Sequence, residues 1–186
     1  MEQDVTAGQL LLAEYASIKD EQKARIGFRD NLLYVTLTAV AAVVVTTAQS
    51  KQAAMLLALP LVCVVLGWTY LMNDQKISAI GSYVRGELGP RLAGAAGVAG
   101  QPDGLPVFGW ESAHRGDNGR RLRKVIQCAV DLLAFCVVPM AALVIFWVSG
   151  QGSGLLVALS VAEALTVGGL GWQVVSYARP FTPAAG

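Results

Sequence analysis

One histidine, three cysteines and a charged share of only 15% leave this 186-residue chain with little from which to build an ordinary soluble site. Soluble domains carry charge on about a quarter of their residues. The lone histidine, His114, has no second histidine or cysteine nearby, so the ligand set of a metal site is missing. Cys63, Cys128 and Cys136 all fall inside apolar segments without C-x-x-C spacing, and they read as buried small side chains. The glycines from Gly94 to Gly104 lack the G-x-x-x-x-G-K-S/T arrangement that cradles phosphates. No nucleophile stands at a suggestive spacing from a base, so no catalytic residue is assigned, no cofactor is implied and no enzyme is expected. A net charge of +1 gives no footing for nucleic acid. The first 30 residues hold ten charges, no apolar run and no small-residue cleavage site, and do not read as a signal peptide.

What the chain has is uncharged length. Residues 31–50 carry no charge, nor do residues 52–73, and Val125 to Ala178 carries only Asp131 and Glu163. A membrane-spanning helix needs about 20 apolar residues. The expected fold is therefore an all-α membrane protein with four spans, at about 31–50, 53–73, 125–148 and 154–177. Ser149-Gly150-Gln151-Gly152-Ser153-Gly154 turns the last hairpin. Pro60 and Pro139 lie in the outer halves of the second and third spans, where each is expected to kink its helix.

Outside the spans, residues 1–30 predict an amphipathic helix, with Leu11, Tyr15, Ile18, Ile26 and Leu33 at helical spacing and Asp4 or Thr6 as cap. Gln22, Arg25 and Arg29 interrupt its apolar stripe, and the helix can run directly into the first span. Ile77, Ile80, Tyr83 or Val84, and Leu88 continue the second span as a helix, ended by Gly89-Pro90 or by the Ala/Gly tract from Ala93. A Gly/Pro-rich linker follows, containing the aromatic island Val107-Phe108-Gly109-Trp110-Glu111. Arg120, Arg121, Arg123 and Lys124 then crowd before the third span, where they can meet anionic lipid headgroups. Residues 74–124 are where a cytosolic partner or ligand would dock, and 179–186 form a tail.

Of the 14 Lys and Arg, four precede the first span, eight lie between the second and third, and Arg179 follows the fourth. Lys51 alone lies on the opposite side. The positive-inside rule thus predicts a multi-pass inner (plasma) membrane protein with both termini cytoplasmic. Tyr34, Trp68, Tyr70, Trp172 and Tyr177 fall at the inner interface of this topology, and Phe146 and Trp147 at the outer one.

Glu163 is the sharpest functional candidate. It sits about 15 Å below the outer end of the fourth span, taking 1.5 Å per residue. An acid at such depth is expensive and usually faces a bundle interior or water. Thr166, Gln173 and Tyr177 lie close to its helical face. Asp131 is shallower, within reach of snorkelling cations, and too far from Glu163 for one two-carboxylate site. Ser160, Ala164, Gly168 and Gly171 form a small-residue stripe on the fourth span, and Thr38, Ala42 and Thr46 form another on the first. Both stripes are suited to close helix packing.

The run from Leu11 to Tyr34 and the segment Pro106 to Glu111 before a basic cluster resemble a group of uncharacterised small bacterial four-helix integral membrane proteins, a likeness that implies no activity. In outline the chain is also similar to predicted pore-forming membrane effectors of bacterial defence systems. The functional expectation is a homo-oligomeric channel with Glu163, Asp131, Thr166 and Gln173 as pore or proton-binding residues. The alternatives are a small proton-coupled transporter and a non-transporting scaffold or sensor.

Overall fold

The computed structural model describes residues 6–97, 120–150 and 152–178, all helix and turn, with no strand among them. Helix α1 is Ala7–Ser50, and a 3-10 segment Ala53–Leu57 leads into α2, Ala58–Tyr83. A π-helical turn, Val84–Leu88, then joins α2 to α3, Gly89–Ala95. After the linker come α4, Arg120–Leu132, a second π turn, Leu133–Val137, and α5, Val138–Ser149. Helix α6 is Gly154–Ala178. Four stretches, Ala7–Ser50, Ala53–Ala95, Leu122–Ser149 and Gly154–Ala178, are long and apolar enough to cross a membrane. The aromatic island, His114, Arg115, Arg179 and the side chains of Arg120 and Arg121 lie outside the described residues.

Local chemistry explains where helices begin and end. Thr6 and Gln9 form a reciprocal capping box at the start of α1, the Gln9 amide donating to Thr6 Oγ1 and the Thr6 amide to Gln9 Oε1. Helix α1 stops at Lys51, whose φ of 57° is left-handed, and α5 stops at Gly150 with φ of 65°. Both π turns lie just ahead of a proline, Pro90 and Pro139. A proline lacks the amide that would serve the carbonyl four residues back, here Gly86 and Phe135, and a wider turn relieves the resulting clash. Pro60 is the proline expected to kink the outer half of the second span. It falls in the first turn of α2, directly after the 3-10 segment, where a missing amide matters least.

The chain divides into two compact units, Met1–Arg29 with Asn73–Arg120, and Asp30–Met72 with Arg121–Gly186. In the first unit, Leu11, Tyr15 and Ile18 of α1 pack against Ile80, Val84, Leu88 and Leu92. Val84 and Leu88 are fully buried. The α1 seam continues at heptad spacing through Gln22, Arg25 and Arg29, the three residues that spoil the apolar stripe. Each has a partner. Gln22 Nε2 reaches the Ile77 carbonyl at 3.5 Å, and Arg29 pairs with Asp74 at 2.9 Å. Buried Asn73 donates to the Arg25 carbonyl at 2.6 Å and accepts from its guanidinium at 3.4 Å. Ile26, assigned to the stripe from its spacing, is exposed instead.

The second unit is built around three apolar clusters. Leu32, Tyr70, Leu71, Phe135, Leu170 and Val174 form one, drawing on α1, α2, the second π turn and α6. Leu56, Leu59 and Ala142 form another against Val40 and Val43, and Leu57, Leu143 and Phe146 the third. Tyr70 stacks on Phe135 with ring centroids 5.3 Å apart and is buried, so it is a core residue and no interfacial anchor. The outward surface of this unit is apolar: Leu37, Leu61, Val148, Leu155, Leu165 and Trp172 are each more than 60% exposed, as a lipid-facing surface requires.

Candidate functional site

The inward face of α6 is marked by Ser160, Val167, Leu170 and Val174, all buried, at steps of seven, three and four. Glu163 falls three residues after Ser160 and four before Val167, on that same face. Its Oε2 oxygen is buried and has no hydrogen-bond partner among the described residues. One turn nearer the hairpin, the Trp147 indole N–H donates to Ser160 Oγ at 2.7 Å, and that hydroxyl donates to the Val157 carbonyl at 2.7 Å. The Ser160 hydroxyl hydrogen is thereby committed and is not donated to the carboxyl.

Thr166 and Gln173 do not join Glu163. Both are exposed, and the Thr166 hydroxyl donates to the Glu163 main-chain carbonyl at 2.8 Å. Asp131 is buried on α4. Across the hairpin, Leu132 and Cys136 lie beside Gly171, and Cys136 Sγ approaches the Val167 carbonyl at 3.9 Å. That pairing puts Asp131 level with residue 172 and Glu163 level with residue 140. Nine residues at 1.5 Å each separate the acids by about 13 Å along the axis, too far for one two-carboxylate site.

The small-residue stripe of α6 divides. Ser160 is fully buried, Ala164 packs on the cluster of Leu143 and Phe146, and a β-carbon on Gly171 would lie 3.4 Å from Cys136 Sγ. Gly168 has nothing near it. On α1 the stripe Thr38, Ala42 and Thr46 is exposed, while Leu32, Thr36, Val40 and Val43 make the contacts. The hydroxyls of Thr38 and Thr46 donate to the carbonyls of Tyr34 and Ala42, four residues back, so they are spent within their own helix. Arg123 and Lys124 are exposed at the start of the third apolar helix. Among the described residues no three His, Cys, Asp or Glu gather as a metal site would need.

Two residues that sequence reasoning passed over matter to the packing. Gly67 is the single glycine between Lys51 and Asp74, and a β-carbon there would lie 2.8 Å from both Phe135 and Leu170. Asn73, at the polar end of an apolar run, clamps Arg25. A lone glycine in a span was the available signal for the first; the second had none short of its partner. No protein-family model, curated protein or solved structure matches this chain.

Proposed function

We propose that the protein conducts protons or small cations across a bacterial inner membrane, as a channel assembled from several copies, with Glu163 as the titrating carboxyl on the path. The observation that carries this is the buried Oε2 oxygen, which has no hydrogen-bond partner among the described residues of an apolar bundle. A carboxyl with one oxygen buried and without a donor is costly to keep charged. It is suited to taking up and releasing a proton. With both termini cytoplasmic, as the distribution of Lys and Arg indicates, the α1 and α2–α3 helix pair of the first unit stands on the cytosolic side and assembles or gates the path. Arg123 and Lys124 contact anionic headgroups there.

The inward position of Glu163 favours a second reading. A carboxyl within each chain's own bundle serves proton-coupled transport as well as it serves a pore.

Planar-bilayer recording of the purified, folded protein separates the two. Wild type is expected to conduct, and Glu163→Gln to lose most of the current. Silence from a folded wild-type oligomer would sink the channel. Saturable substrate uptake that moves protons, abolished by Glu163→Gln, would establish the transporter in its place.

A further inference from the structure

Between the two acids of the second unit lies a tightly packed apolar contact. Gly67 of α2 faces Phe135 so closely that a single added carbon would sit 2.8 Å from the ring and 2.8 Å from Leu170. Phe135, Val167 and Leu170 are each 2% exposed or less, and Tyr70 closes the side of the ring. By the hairpin pairing, Phe135 and Leu170 fall between the levels of Asp131 and Glu163. A water molecule needs both space and polar partners, and the side chains of Phe135 and Leu170 packed against Gly67 offer it neither.

We infer that the Gly67, Phe135 and Leu170 layer is the occluding barrier of a path that runs through each chain's own bundle, separating a station at Glu163 from a station at Asp131. The inference rests on Glu163 being a path residue. Phe135 is also set on the π turn Leu133–Val137, and its main-chain carbonyl is the one that Pro139 deprives of a helical donor. The barrier side chain therefore rides on a turn that departs from the α pattern, where a change between π and α turns rotates it out of the layer.

Native Cys136 reports on this layer, since its Sγ lies against the Val167 carbonyl and Gly171. The test treats the protein in proteoliposomes with a charged methanethiosulfonate reagent, with modification sites mapped by mass spectrometry. Wild-type Cys136 is expected to resist modification. Phe135→Ser and Leu170→Ser are expected to make it reactive, while Leu143→Ser, equally buried but on the hairpin side of Glu163, leaves it protected. Proton leak in the same vesicles should rise in Phe135→Ser and fall again in Phe135→Ser with Glu163→Gln.

Rapid Cys136 modification in wild type, or protection persisting in folded Phe135→Ser and Leu170→Ser, overturns the barrier. A wild type that conducts while Phe135→Ser changes neither labelling nor leak removes the barrier and keeps the path. Labelling as expected with no leak in any variant removes the path itself, and the inference falls with it.

Discussion

Two glycines of the apolar helices illustrate how differently one residue type can act. Gly67→Ala forces a β-carbon into the Phe135 ring and Leu170, and overpacking of this kind typically destabilises by about 1–3 kcal/mol. Gly168→Ala meets nothing and gains helix propensity, so it should be neutral or stabilising by up to about 1 kcal/mol. Thermal unfolding of the two variants in one detergent checks the pair; equal melting temperatures would show that Gly67 is no contact point. Glu163 was legible because an acid amid some 50 uncharged residues stands out whatever surrounds it. Gly67 was not, since a glycine in an apolar run reads alike whether it faces lipid or a ring.

The seam between α1 and the α2–α3 helices combines an apolar part with a polar one. Leu88→Ala should destabilise the first unit by about 2–5 kcal/mol, the usual loss for a fully buried leucine. Asp74→Asn breaks a partly exposed ion pair with Arg29 and should cost roughly 1 kcal/mol or less. That smaller loss should shrink in part at 1 M salt, since the pair is only partly open to solvent, whereas the Leu88 loss should not respond to screening. Hydrogen exchange of α1 amides from residue 11 to residue 29 would read both; an Asp74→Asn effect that ignores salt would argue against an electrostatic contribution. In the sequence, Gln22, Arg25 and Arg29 look like defects in an apolar stripe. Their partners stand 45 to 55 residues away, and only folding brings them alongside.

Among the described residues four helices are long and apolar enough to span a membrane, and the placing of lysines and arginines predicts their direction. A reporter active only in the cytoplasm, fused after Gly186, should be active, and a cysteine placed at Lys51 should react with an impermeant reagent from outside. The reverse pattern would invert the topology. Hydropathy along the sequence was enough for the all-helical class and the four helices apolar enough to span a membrane, because these depend on transfer between water and lipid, a property additive along the chain. Tertiary structure decided which small residues touch, that Thr38, Ala42 and Thr46 face outward, that Thr166 and Gln173 are exposed and do not join Glu163, and that Gly67 packs against Phe135 and Leu170. Those depend on helix rotation and register, which differ by a few tens of degrees between arrangements of nearly equal hydrophobicity. Val125 to Ala178 would read the same in any of them.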